Sequence, residues 1–298
     1  MVRQLFCLVA AATVSFPAVV TPDPSPEAPT PRPADPAIAA KPRATSNLET
    51  LAKTDPVALL DEVRERYRKN VQGYTVTMTK RERVQGVLYD EEVVHVAVRE
   101  EPYSVLMLWQ SGSREIKFGR LSLGRIEGVL YVAGENKGEM VAWAPTARFL
   151  KIIGINPTSG QAQAASRYCI AEGGMGHASI RTHKSWSEAQ SQGRLNWEYL
   201  GAKPVEKAGG RLAHYVRRTC LGPELDPFLM NDPKPDARAR PADAFKTVTI
   251  MLDAETGMQI GSRLERADGE LIGEYYFRDL VLNPTFGKEQ FKQSSLKK

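Results

Sequence analysis

The side chains able to do chemistry are few in this chain, and their spacing does not group them. There are four histidines, His95, His177, His183 and His214. His177 and His183 stand six positions apart, off any common helical face, while His95 and His214 fall where apolar residues alternate as in strands. A zinc site needs three or four Cys, His or carboxylate ligands drawn together, and no such spacing is visible. The histidines therefore read as polar or capping residues, with no metal assigned. The sequence also lacks G-x-S-x-G, H-E-x-x-H, a phosphate-binding loop and C-x-x-C, so no catalytic residue and no cofactor is assigned. Gly173-Gly174-Met175-Gly176 precedes a helical stretch and could hold an anion at the helix N-terminus. Because it follows no strand, it reads instead as a flexible hinge.

The compartment decides what the cysteines can do. Met1 to Gln4 carry one positive charge, and Leu5 to Val14 form a short apolar run before small residues and proline, the pattern of a secretion signal. A membrane-spanning helix needs about 20 apolar residues, twice this run. Residues 1–20 therefore read as a cleaved signal peptide with no stable transmembrane segment, and the protein as exported to the periplasm or cell envelope. Cys7 lies inside the run rather than after it, where a lipid-modified first residue would stand. Nine prolines between Pro17 and Pro42 make residues 21–46 a disordered, semi-rigid linker. Cys169 and Cys220 then remain as an even pair, which an oxidising compartment allows to bridge; two buried free thiols are the alternative.

Residues 47–298 read as a single β domain, with the proline-rich stretch 221–244 as a loop insertion holding an isolated apolar trio, Phe228, Leu229 and Met230. The formal net charge is +5, but basic residues are interspersed with acids and no aromatic platform has RNA-binding spacing. Nucleic acid is therefore not a predicted partner. Asp55-Pro56 signals a helix start, with Leu59, Leu60, Val63 and Tyr67 on one face and Gly73 after the end. From Tyr74 the period changes to two: Tyr74, Val76 and Met78 share a face, as do Val94, Val96 and Val98, with Gln85-Gly86 as a turn. In Tyr103 to Gln110 both faces are apolar, Tyr103, Val105, Met107 and Trp109 on one and Leu106 and Leu108 on the other, so both must be covered. Gly128 to Ala133 and Glu139 to Trp143 predict a hairpin. Ser159 to Arg167 and Met175 to Gln190 read as weakly helical, and five more strands follow before Leu282. The sum is one early helix, about ten antiparallel strands and a helical insert.

Tyr74 to Gly86 (YTVTMTKRERVQG), Arg99-Glu100-Glu101-Pro102-Tyr103, GVLYVAGENKGEMVAW, Ser166 to Ile170 and Gly273 to Leu280 resemble, in that order, the domain of unknown function family numbered 1571. The resemblance spans most of residues 55–292; it departs at Cys169, where a proline is expected, and in the insertion 221–244. That family is in turn similar to the periplasmic lipoprotein carriers of the Lol type and to related envelope-stress sensors. The resemblance implies a mainly β (α+β) fold, a curved antiparallel sheet or half-barrel wrapped around helices. It also implies an apolar cavity under a helical lid that holds a lipid or lipoprotein acyl chain. In those carriers an Arg-Pro at a strand start marks a working arginine. Here two glutamates separate Arg99 from Pro102, and Arg99 either takes that role or pairs with Glu100, Glu101 or a neighbour.

Pliable side chains suit a cavity for chains of varied length, and Met78, Met107, Met140 and Met251 all fall in predicted strands. The alternative is that they fill a closed core. The predicted apolar site comprises Tyr74, Val76, Met78, Arg99, Tyr103, Val105, Met107 and Trp109. Two functions remain open: a non-enzymatic envelope protein that binds or carries an acyl chain, or a stress sensor or interaction module that meets an envelope protein on the same scaffold.

Overall fold

Asp55 opens a helix for the reason its sequence gives. Its carboxylate accepts hydrogen bonds from the backbone N–H groups of Val57 and Ala58, both at 3.0 Å, and Pro56 occupies the first turn, where no N–H is needed. The computed structural model describes residues 47–118, 121–147, 151–230 and 240–297, with the backbone alone for 116–118 and 121–123. The predicted signal peptide, the linker and the middle of the 221–244 insertion lie outside the described residues. A short helix, α1 (Asn47–Thr54), which no periodicity announced, precedes α2 (Pro56–Asn70). Leu59, Leu60, Val63 and Tyr67 are buried on the inner face of α2 as expected. Gly73 does not terminate this helix. It opens the first strand, where a Cβ would lie 2.6 Å from the Val98 carbonyl oxygen and 2.8 Å from the Phe286 ring.

The described residues contain fourteen strands rather than about ten. The first group is β1 (Gly73–Val84), β2 (Val87–Leu88), β3 (Glu92–Arg99), β4 (Ser104–Ser111), β5 (Glu115–Phe118), β6 (Leu121–Arg125), β7 (Gly128–Val132), β8 (Met140–Trp143) and β9 (Ile152–Ile155). After the helices α3 (Gly160–Ala165) and α4 (Gly174–Ser191) come β10 (Asn196–Val205), β11 (Arg211–Glu224), β12 (Phe245–Asp253), β13 (Gln259–Glu265) and β14 (Leu271–Leu282). The four unforeseen strands are β2, β5, β6 and β9, each five residues or fewer, too short for alternation to register. Gln85 and Gly86 both adopt positive φ, the geometry of a two-residue hairpin turn.

One open antiparallel sheet runs in the order β10-β11-β12-β13-β14-β1-β3-β4-β7-β8-β9, with β2 paired to β1 and β5-β6 standing apart. The first and last long strands, β1 and β14, meet at its middle, so the sheet joins the two ends of the domain. Across β1 and β3 the pairs Tyr74 with Val98, Val76 with Val96 and Met78 with Val94 stack one face, and Val105, Met107 and Trp109 of β4 extend it. This inner face packs under α2 and α4: Tyr67 and Met175 join the strand residues in one apolar cluster, while Leu59, Leu60, Val63 and Trp186 meet β11 and β12 in another. The outer face of β3, β4, β7 and β8 is covered by the C-terminal segment, whose Phe286, Phe291 and Leu296 pack on Ala97, Leu106, Leu130 and Val141. Both faces of β4 are thus covered, as its sequence demanded.

Glycines let α4 approach. Gly174 has φ +77°, and a Cβ there would sit 2.3 Å from the Tyr74 hydroxyl oxygen. At Gly176 a Cβ would sit 2.6 Å from the Tyr67 ring. The predicted hinge is therefore a close-packing device. The first-turn N–H of Met175 donates to the Tyr74 hydroxyl at 2.8 Å, which occupies part of the helix N-terminus that an anion would need.

Candidate functional site

Ten strands contribute to the walls of a single cavity of about 220 Å³ between the inner sheet face and the helices. A flat sheet could not present that many strands to one hollow, so the sheet must curl around it. Helices α3 and α4 and the turn Tyr168-Cys169-Ile170 form the roof, together with Pro227 and Met230 from the insertion. Most of the wall is apolar. Met107, Val129, Met140, Ala142 and Ile155 come from β4, β7, β8 and β9, and Met78 and Phe277 face them from β1 and β14.

One corner is ionic. Inward parity on β1 runs Tyr74, Val76, Met78 and then Lys80 and Glu82, and on β3 it includes Glu92 directly opposite Lys80. Lys80 Nζ lies 2.9 Å from Glu82 Oε2 and 3.6 Å from Glu92 Oε2. Arg114 Nε donates to Glu92 Oε1 at 2.7 Å and Arg114 Nη2 reaches Glu82 Oε2 at 3.3 Å. Trp109 Nε1 donates to Glu92 Oε2 and the Tyr275 hydroxyl to Glu82 Oε1, both at 2.7 Å. Two carboxylates thus face two cations, which is how buried charge is tolerated. Burial pushes the Glu82 carboxyl up, but Lys80, Arg114 and the Tyr275 hydroxyl outweigh it and hold the group down at about 2. A general acid or base works best near the ambient pH; Glu82 is fixed as a structural anion.

The predicted site residues divide. Met78, Met107 and Trp109 line the cavity. Tyr74, Val76 and Val105 are fully buried in the packed cluster beside it, and the half-buried Tyr103 donates its hydroxyl proton to the Gly173 carbonyl at 2.8 Å. Arg99 is a correction: it follows the outward parity of β3, stacks 4.8 Å from the Phe291 ring centroid and donates to Ser104 Oγ at 2.8 Å. The envisaged Cys169–Cys220 bridge is likewise corrected, because both are free thiols. Cys169 stands in the cavity roof and Cys220 in the core, where burial pushes its thiol up to about 12. Of the four strand methionines, Met78, Met107 and Met140 face the hollow, whereas Met251 fills solid core.

Sequence reasoning missed the ionic corner and Met230. Charged residues on the inward parity of β1 and β3 were the available signal for the first. An apolar residue in an otherwise polar insertion was the signal for the second. The histidines stay dispersed: His177 meets Tyr103 edge to face at 4.9 Å, His183 lies 2.8 Å from Asp61 and His214 bonds the Tyr199 hydroxyl at 2.9 Å. Among the described residues no group of three His, Cys, Asp or Glu side chains could hold a metal ion, and no helix is long and apolar enough to cross a membrane.

Comparison with known proteins adds a family and a set of distant shapes. The family model described as protein of unknown function (DUF1571) matches residues 71–227. No curated protein matches the chain. Among solved structures, the MucA/MucB complex of Pseudomonas aeruginosa is similar at 14% identity and a TM-score of 0.42, covering 82% of this chain and 62% of that one. The chain thus spans less than two thirds of its length. The Mycobacterium tuberculosis lipoprotein LppX is similar at 10% identity and a TM-score of 0.42, covering 78% of this chain and 99% of that one. A LolA superfamily protein from Nitrosomonas europaea is similar at 7% identity and 0.28, covering 79% and 98%. At such scores the likeness extends to neither ligand nor activity.

Proposed function

The chain belongs to the protein of unknown function (DUF1571) family, and we propose that it is a non-enzymatic envelope protein that binds or carries an acyl chain of a lipid or lipoprotein. The observation that carries this reading is the cavity itself: about 220 Å³ and walled mostly by methionine, aliphatic and aromatic side chains of the inner sheet face. An apolar cavity of roughly 150 Å³ already takes up benzene-sized guests, and drug-sized ligands occupy about 300–1,000 Å³. The volume therefore suits a segment of one chain. Each buried methylene adds about 0.8 kcal/mol, so binding needs no specific polar contact. Met78, Met107, Met140 and Met230 can adjust to chains of different length. The reading places residues 1–20 as an export signal, residues 21–46 as a tether and 47–298 as the binding domain.

The interaction-module reading lacks comparable support. Exposed large apolar residues among those described are Val87, Ile180, Leu212, Leu221 and Val281, spread over the four elements β2, α4, β11 and β14, whereas a partner surface calls for a contiguous apolar patch. Native mass spectrometry of protein purified from its own envelope tests the proposal. A co-purifying lipid mass is the expected result; protein that carries none and takes none from added vesicles would refute it.

A further inference from the structure

A second hollow, of about 180 Å³, adjoins the first and shares Ser166 and Met230 with it. Its walls are of another kind. Arg83, Arg167 and Arg240 bring three guanidinium groups to it, and Gln85 and Gln163 add amides. Two of the arginines are engaged. Arg83 donates to the Gly86 carbonyl at 3.0 Å and to Glu270 at 3.3 Å, and Arg240 donates through Nε and Nη2 to Asp243 at 3.1 and 2.7 Å.

Arg167 differs. Only 3% of it is exposed, its Nη1 donates to the Arg83 carbonyl at 2.9 Å, and its Nε and Nη2 are buried without any partner. Those two nitrogens form one complete edge of the guanidinium, the edge that meets a carboxylate or phosphate through two parallel hydrogen bonds. Buried donors are almost always satisfied, and an orphaned pair calls for an unseen group to meet it. The acids nearest in charge, Glu82 and Asp226, are already taken. Glu82 is held by Lys80 and Tyr275, and Asp226 accepts from the Tyr168 hydroxyl at 2.6 Å and from the Phe228 N–H at 2.9 Å.

We infer that the free edge of Arg167 receives the acid group of an anionic amphiphile whose hydrocarbon chain lies in the adjoining apolar cavity. The chain passes Ser166 and Met230, the two residues common to both hollows, and the pliability of Met230 accommodates it. The inference rests on the acyl-chain reading and adds the charge class of the ligand: a carboxylate or phosphate monoester carried on a chain. It also gives the insertion a part, since Met230 and Arg240 both belong to it and its two ends are held together by Leu225 and Leu229 packing on Ala244.

Calorimetric titration of the full protein with hexadecanoate, hexadecyl phosphate, hexadecanol and inorganic phosphate tests this. The two acids should bind at least tenfold more tightly than the alcohol, and inorganic phosphate at least tenfold more weakly than hexadecyl phosphate. Arg167→Gln should erase the gap between acid and alcohol while leaving the affinity for the alcohol unchanged. The wild-type comparison needs no variant, so it stands even if the substitution unfolds the protein. Equal affinity of the wild-type protein for acid and alcohol would overturn the inference and leave the apolar reading intact. Phosphate binding as tightly as hexadecyl phosphate would overturn it in favour of a free-anion site. Binding of none of the chains would overturn the acyl-chain reading as well.

Discussion

The two faces of strand β4 have equally apolar sequences and different fates. Leu106 and its neighbours on the outer face are sealed by Phe291 and Leu296 of the C-terminal segment, whereas Met107 and Trp109 on the inner face border a hollow. The outer face is built mainly from leucine, valine and alanine, and a segment of the same chain closes it. The inner face is roofed by α3, α4 and part of an insertion, with α4 resting on α2 and, through Met175 and Tyr74, on β1. Alternation in sequence reports that a face is shielded from water, and what shields it is a separate question. Methionine against leucine is the residue-level trace of the difference.

Substitutions on the two faces should therefore differ in kind. The largest effect is expected where the inner face departs from its own rule, at the ionic corner. Glu82→Gln removes one partner from a buried ion cluster and should cost about 3–5 kcal/mol, read as a lower midpoint in urea denaturation. A loss under about 1 kcal/mol would mean that Lys80 and Arg114 are held by Glu92 alone. On the sealed face, Leu106→Ala should cost about 2–5 kcal/mol and leave chain binding unchanged. Loss of binding with little loss of stability would reverse the assignment of the faces.

Acid should act through the same corner. Because the Glu82 carboxyl lies at about 2 in the folded protein against 4.5 unfolded, its contribution is complete above pH 4.5 and disappears as the pH falls from there towards 2. At about 1.4 kcal/mol per pH unit the loss amounts to at most about 3 kcal/mol. Denaturation midpoints taken between pH 6 and pH 3 should fall in the wild type and fall less in Glu82→Gln; parallel curves would remove Glu82 from the explanation. The smallest effect is expected for Arg99→Ala, which gives up a stacking contact with Phe291 and a hydrogen bond to Ser104, worth about 1 kcal/mol together. Chain binding should not change. A binding defect in this variant would place Arg99 at the ligand after all.

Much of the framework was legible from residue order because local rules govern it. Asp55-Pro56 caps α2, Gln85-Gly86 turns β1 into β2, alternation marks β1 and β3, and a run apolar on both faces marks β4. The site was legible only where it continued such a pattern, as at Met78, Met107 and Trp109. Arg99 entered the site through the carrier resemblance alone, although the alternation of Val94, Val96 and Val98 already sets it on the opposite face of β3. The Gly173-Gly174 run looked like a hinge because close approach to Tyr67 and Tyr74 is a tertiary fact. The pairing of β1 with β14 and the ionic corner that Tyr275 completes join residues 193 positions apart, beyond the reach of any window on the sequence. Met230 reaches the roof through the fold of an insertion whose sequence shows an isolated apolar trio but not where that trio packs.

The most direct measurement is uptake of a fluorescent fatty acid by the wild-type protein and by Met107→Trp, with thermal melting of both. Met107 borders the hollow from the middle of β4, so the larger indole should fill it without disturbing the sealed face. Saturable uptake by the wild type is expected, together with at least tenfold weaker uptake by the variant and a stability change within about 0.5–3 kcal/mol. Wild-type protein that takes up no probe, or a variant that takes it up equally well, would contradict an acyl chain in this cavity.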